Sequence, residues 1–223
     1  KIRGPDSWKR VKESFEKFGP LRELYPNLQL AVITVVTPQN EKIYPDFIDE
    51  LVHDLKPNQV NINLFRYGYL GHPPIPESTI ETYRKAVERY EELVRAGNLQ
   101  KFTFFGGRAM RVKEVLQKEL IYRVANFDEF VTPCTAGTYS YIIWEDGRVA
   151  PCEILSDTIG TLIGEESKQT FQQMVESSEA KTLRKRIRDE KCRCTYECAM
   201  STNTFFSWPM TKKMVKGVLT AKV

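Results

Sequence analysis

Five cysteines, Cys134, Cys152, Cys192, Cys194 and Cys198, are the residues of this sequence whose type and grouping point most directly to chemistry. All lie in the last 90 positions, and the first 133 residues contain none. An odd count leaves one thiol over in any disulfide framework. No signal-peptide pattern stands at the start, so the chain is expected in the cytoplasm, where thiols stay reduced. Metal ligation is the competing chemistry. Four converging thiolates hold zinc or a cubane iron–sulfur cluster, because both accept tetrahedral sulfur ligands, and spacing alone does not choose between them. Twelve residues separate Cys134 from Gly147 and four separate Gly147 from Cys152. A hairpin turning at Gly147 would therefore bring its two cysteines to one site, and Cys192-x-Cys194-x-x-x-Cys198 would close it from the other side. His53 and His72, the two histidines, lie far upstream and suggest no mixed Cys/His site. The plainer alternative, buried thiols acting as small hydrophobes, fits poorly with the charged surroundings of Cys192 to Cys198.

Positioning these thiols requires a folded scaffold, and the composition supports one. Of 223 residues, 41% are hydrophobic and 28% charged, as in ordinary globular domains. The length suits one large domain or two small ones, and the character of the sequence changes near residue 130. Before that point helix-like and strand-like segments alternate. Asp6 or Ser7 is expected to cap a helix carrying Trp8, Val11, Phe15 and Phe18, stopped by Gly19-Pro20. Leu28 to Val36 reads as a strand buried on both faces, as in parallel sheets. Pro45 opens a helix with Phe47, Ile48, Leu51, Val52 and Leu55 inward, and Val60 to Phe65 is a second strand. Ser78 and Glu81 suggest a capping box for a third helix with Ile80, Tyr83, Val87, Tyr90 and Val94 on one face, closing at Gly97. Phe102 to Phe105 is a third strand candidate, and a fourth helix is expected from Arg111 to Val124. This alternation predicts an α/β class built from parallel units. Two or three units make only part of a larger sheet, and the start at Lys1-Ile2-Arg3-Gly4-Pro5 supports the expectation of a C-terminal portion.

After residue 130 the pattern predicts a hairpin, Tyr139 to Trp144 and Arg148 to Ile154 around Asp146-Gly147. A helix follows from Ser167 to Arg188, with Phe171, Met174 and Val175 inward. Phe205, Phe206 and Trp208 are expected to dock the tail onto the core. Lys181, Arg184, Lys185, Arg186, Arg188, Lys191 and Arg193 form a basic run, read as a solvated helix face, with the steering of an acidic peptide or phosphate as the alternative. The net charge of +4 is too small to call for a nucleic-acid partner, and no apolar run is long enough for a membrane span.

The segments Pro133 to Gly137, Ile143 to Leu155, Ile159 to Leu162 and Cys192 to Cys198 together resemble the auxiliary-cluster extension of radical SAM enzymes, the SPASM or twitch domain. That family's first signature is Cys, nine to fifteen residues, Gly, four residues, Cys, and this sequence fits it. Arg3-Gly4-Pro5, Thr34-Val35-Val36 with Asn40, and Asn63 to Arg66 are similar to the second half of the family's barrel. The resemblance implies the C-terminal half of a partial (β/α)6 barrel over residues 1–130, a small α+β SPASM or twitch domain with a β-hairpin over 131–205, and a tail over 206–223. The catalytic Cys-x-x-x-Cys-x-x-Cys motif and the Gly-Gly-Glu segment of the family are not in this sequence, and would lie before Lys1.

Five cysteines rather than the seven of a full SPASM domain imply one auxiliary [4Fe-4S] cluster. By place in the motif Cys134, Cys152 and Cys198 fit as ligands, with Cys194 fourth and Cys192 its substitute. S-adenosylmethionine and a second [4Fe-4S] cluster are implied for the parent, which would form a 5′-deoxyadenosyl radical and oxidise a peptide or small-molecule substrate. A flavodoxin or ferredoxin would be the reductant, with no nucleic acid or membrane as partner. Thr34 and Asn40 are candidates for the cofactor ribose, against the reading of Asn40 as a turn former. Arg66, at a strand end, is a candidate for a cofactor carboxylate, against simple pairing with a neighbouring carboxylate. The competing function is a non-catalytic zinc- or cluster-binding module, and a third is peptide capture on the hairpin edge.

Overall fold

The computed structural model describes residues 4–66, 74–164 and 169–220. Arg3, His72, Tyr67 to Gly71 and the expected helix start at Ser167 lie outside them. The chain divides into two compact units, the first comprising 1–65, 74–119 and 215–223, the second 66–73 and 120–214.

The first unit holds α1 (Ser7–Phe18), α2 (Leu21–Leu24), β1 (Ala31–Val36), α3 (Tyr44–Leu55), β2 (Gln59–Leu64), α4 (Glu77–Arg95) and the start of α5 (Gly107–Phe127). β1 and β2 pair in parallel, from Ala31 opposite Gln59 to Val36 opposite Leu64, and α3 connects them. Pro45 opens α3 where its missing N–H costs nothing. Ile48, Leu51, Val52 and Leu55 are buried on one face, and Lys56 ends the helix in the left-handed region at φ 45°. Ile80, Tyr83, Val87, Tyr90 and Val94 of α4 are buried as their spacing predicts, and Gly97 follows with φ 76°.

Other expectations give way. No barrel is closed: the described sheet of this unit has two strands. Among the described residues β1 pairs with one strand, and Ile33 is 68% exposed, so this strand is not buried on both faces. Phe102 to Phe105 forms no strand; Phe105 stands in solvent. Asp6 adopts a left-handed conformation, φ 59°, and does not cap α1 through its side chain. The capping box on α4 is not formed, because Ser78 and Thr79 donate instead to Glu41 Oε2 at 3.1 and 2.8 Å while Glu81 pairs with Arg84.

The second unit contains the end of α5, then β3 (Ile142–Ile143), β4 (Arg148–Ala150), β5 (Gly160–Thr161), α6 (Phe171–Glu176), α7 (Ser178–Asp189), α8 (Glu197–Phe205) and the start of α9 (Trp208–Thr220). The hairpin is present but short. β3 and β4 are antiparallel, and β5, which periodicity did not suggest, adds to the other edge of β4. Gly147 has φ 83°, and a Cβ there would stand 2.8 Å from the Ile163 side chain, so both conformation and space demand glycine. The single helix expected up to Arg188 is two. Ser177, extended at ψ 162°, interrupts it and accepts the Ala180 N–H to cap α7, while Thr170 and Gln173 form a capping box on α6. Ser and Thr oxygens compete well for free amides, which makes such a break inexpensive.

Ala136, Val149, Ile159, Met174, Ala180, Leu183 and Ile187 form the core of this unit. Phe171 stays 39% exposed. The aromatic tail does not dock as expected: Phe206 stacks on Tyr139 with ring centroids 4.3 Å apart, and Trp208 is 70% exposed beneath Lys212. Met210 and Met214 of α9 are the buried residues.

Candidate metal centre

Cys134 precedes the hairpin and Cys152 follows β4, so the antiparallel pairing of β3 with β4 returns the second thiol towards the first. Cys192 is placed by the end of α7. Lys191 turns left-handed at φ 49°, its N–H donates to Arg188 O, and the Cys192 N–H reaches back to Ile187 O at 3.0 Å. This helix stop folds the chain back, and Cys134, Cys152 and Cys192 all pack against the core cluster. Arg193 then ties the Cys192 to Cys194 segment to Asp128, its Nε donating to Asp128 O at 2.8 Å and to Oδ1 at 2.7 Å.

Four thiols sense one another electrostatically. The Cys192 thiol donates a hydrogen bond to Cys134, which lowers the Cys134 pKa to about 6. The same bond, reinforced by burial, pushes Cys192 far up. The pair thus shares one proton, the first ionisation being easy and the second hard. Burial raises Cys152 and pushes Cys194 up to about 12, with the charges of Cys134 and Cys152 adding to it. Backbone amides work in the opposite sense. The Leu155 N–H donates to Cys152 Sγ at 3.4 Å, and the amides of Ala136 and Tyr196 favour the thiolates of Cys134 and Cys194. Cys198 differs in setting: it is exposed in the first turn of α8, and its partner is the Tyr196 hydroxyl.

The side chains around the thiols include several that no motif signalled. Asn203, 3% exposed, accepts the Thr135 N–H and hydroxyl at 2.8 and 2.7 Å and turns its amide towards Cys134. Arg66 donates to Glu153 Oε1 at 2.6 Å, lies 4.0 Å over the Tyr196 ring and favours the Cys194 thiolate. Its partners are neighbours in sequence of Cys152 and Cys194, which is the one signal in residue order that connects them. Thr34 is half-buried on β1 and borders a cavity of 670 Å³ with Trp8 and Phe15. Asn40 uses both ends of its amide within its own loop, accepting from Thr37 N–H and donating to Val35 O, each at 2.8 Å. His53 is exposed on α3.

Among the described residues no three His, Cys, Asp or Glu side chains are arranged so that they could hold a metal ion. The donor chemistry nevertheless suits a thiophilic centre: four coupled sulfurs, half-buried or buried, with amide N–H groups directed at three of them. As thiolates without a cation they would repel one another. A metal centre supplies the positive charge that reverses this, releasing protons as it binds.

Residues 134–199 match the family model of SPASM, described as an iron-sulfur cluster-binding domain. The comparison with curated proteins found no match, and neither did that with solved structures. No helix among the described residues is long and apolar enough to cross a membrane.

Proposed function

We propose, starting from a chain that carries a SPASM iron–sulfur cluster-binding domain at residues 134–199, that Cys134, Cys152, Cys192 and Cys194 hold one [4Fe-4S] cluster. The observation that carries this choice is the placement of the thiols: Cys134, Cys152 and Cys192 pack on one core cluster and Cys194 is buried, whereas Cys198 is exposed. When bound, such a cluster, with a thiolate on each of its four irons, would supply one-electron transfer. The chain's own residues do the rest. The hairpin and the α7 stop present the sulfurs. The amides of Ala136, Leu155 and Tyr196 stabilise their negative charge, and donors to sulfur raise a cluster's reduction potential. Asn203 fixes the Cys134 loop, and Arg66 holds a positive charge beside Cys194 while neutralised in part by Glu153.

SPASM domains occur in radical SAM enzymes, and we read the parent activity as that of a radical SAM oxidoreductase acting on a peptide or small molecule in the cytoplasm. S-adenosylmethionine, a second [4Fe-4S] cluster and a flavodoxin or ferredoxin reductant would be its further requirements. Thr34, Asn40 and Arg66 remain its proposed contacts to S-adenosylmethionine, of which Asn40, both ends of whose amide serve its own loop, and Arg66, engaged by Glu153, would each have to release a partner.

Anaerobic reconstitution with ferrous iron and sulfide tests the metal reading. The expected outcome is about four irons and about four sulfides per chain with broad absorption near ~400 nm, as one cubane requires. One tightly held zinc, displacing iron and leaving no visible band, would overturn it in favour of a structural staple.

A further inference from the structure

Helix α7 has two unlike faces. Ala180, Leu183 and Ile187 enter the core. Lys181, Arg184, Lys185 and Arg188 recur at three- and four-residue steps on another stripe, and with Lys191 they line a cavity of 590 Å³ whose wall includes Cys134. That volume lies within the range of ligand sites. No acidic side chain lines the cavity. Asp189 pairs with Lys185 and stands 3.7 Å from Arg188. Arg184 is held by carbonyls, donating to Val175 O at 2.9 Å and Gly137 O at 3.2 Å. Lys181 and Lys191 have no carboxylate partner among the described residues. A solvated face would intersperse both signs, whereas like charges four residues apart on a helix are destabilising.

We propose that this cavity binds an acidic peptide segment in extended conformation, its carboxylates seated along the α7 stripe beside Cys134. Spacing selects this ligand over a single phosphate. Lys181 and Lys185, like Arg184 and Arg188, are separated by about 6 Å of helix rise, and the stripe from Lys181 to Arg188 by about 10 Å. Alternate side chains of an extended peptide lie about 6.7 Å apart on one face, so two or three carboxylates meet successive cations, whereas one phosphate meets a single pair. Phe130 and Pro133 in the wall leave apolar surface for the intervening side chains. The site is built from α7 and the segment before the hairpin and requires no metal, so it stands or falls separately from the cluster reading.

The test is fluorescence anisotropy on the full chain, metal-free and reconstituted, with a labelled hexapeptide bearing glutamate at alternate positions. Its glutamine counterpart and inorganic tripolyphosphate are the comparison probes. The glutamate peptide is expected to bind at least about tenfold more tightly than the glutamine peptide, and to weaken several-fold between ~50 and ~200 mM salt. Lys181→Glu with Lys185→Glu, both exposed, should weaken it at least about tenfold. Lys181→Glu alone, which breaks no ion pair, should cost about threefold. Lys9→Glu with Lys85→Glu, the same change in net charge on exposed positions elsewhere, should leave binding within about twofold. Equal losses from both pairs, equal binding of the two peptides, or tripolyphosphate binding to the stripe where the glutamate peptide does not, would each overturn the proposal.

Discussion

The two units bury polar chemistry in opposite ways. In the first, Arg111 is 5% exposed and Glu114 1% exposed, yet their charges are compensated internally. Arg111 donates to Asn58 O at 2.6 Å, to Tyr90 OH at 3.0 Å and to Glu114 Oε2 at 3.2 Å, and Tyr90 OH donates to the same carboxylate oxygen at 3.1 Å. Asn58 in turn joins Leu30 N–H to Lys101 O. The chain's own groups close this network except at Glu114 Oε1, which is buried without a hydrogen-bond partner among the described residues. In the second unit, four thiols resist joint ionisation, and the amides of Ala136, Leu155 and Tyr196 with the cations of Arg66, Arg186 and Arg193 offset this only in part. Buried groups paired with one another are a structural device, whereas grouped soft donors whose thiolates repel one another have the chemistry that suits a cation.

That contrast can be broken at several points. The largest effect should come from the thiols. Cys152→Ser and Cys192→Ser are each expected to lower reconstituted iron from about four per chain to below about one, whereas Cys198→Ser should retain it. Iron analysis with the visible spectrum reads the result, and loss of iron in Cys198→Ser with retention in Cys192→Ser would restore the ligand set that motif spacing suggests.

In the first unit, Arg111→Met removes one partner of a buried pair and is expected to cost about 3–5 kcal/mol in urea denaturation. Adding Glu114→Leu should recover most of that loss, since the uncompensated carboxylate is then gone. No recovery would mean that the pair's other hydrogen bonds carry the stability. Asn203→Ala strips Thr135 of the acceptor for its N–H and hydroxyl, with an expected cost of about 1–3 kcal/mol in the metal-free chain; an unchanged denaturation midpoint would show that water replaces the amide.

The smallest effect is a pH dependence. Burial raises the Glu114 pKa despite the cations of Lys118, Arg111 and Lys113 nearby. The folded state therefore holds this proton more tightly than the unfolded chain. Its contribution to stability is fully present below the unfolded value of about 4.3 and is lost as pH rises through the raised folded value. Glu114→Gln removes that dependence, so the stability of the variant relative to wild type should rise between acidic and neutral pH. A constant difference in urea midpoints would sink this assignment.

Much of this was legible in residue order. The inward faces of α3 and α4 and the parallel β2 follow from periods of three to four and of two, because periodicity reports geometry that neighbours along the chain impose on one another. Gly147 and the cysteine spacing marked the hairpin for the same local reason. β5 escaped detection because a two-residue strand carries no period, and the helix break at Ser177 because a hydroxyl cap overrides an otherwise continuous pattern.

Residue order by itself determined the chemistry on offer: five thiols confined to one region, a hairpin to turn two of them together, and a basic run before the last three. The tertiary structure alone decided which groups meet. It coupled Cys192 to Cys134 through the left-handed stop at Lys191. It gave Arg66 to Glu153, 87 positions away, and turned a stripe of α7 cations into the wall of a cavity. Contacts at such separations depend on where whole elements pack, and packing selects among many partners that the same local pattern permits.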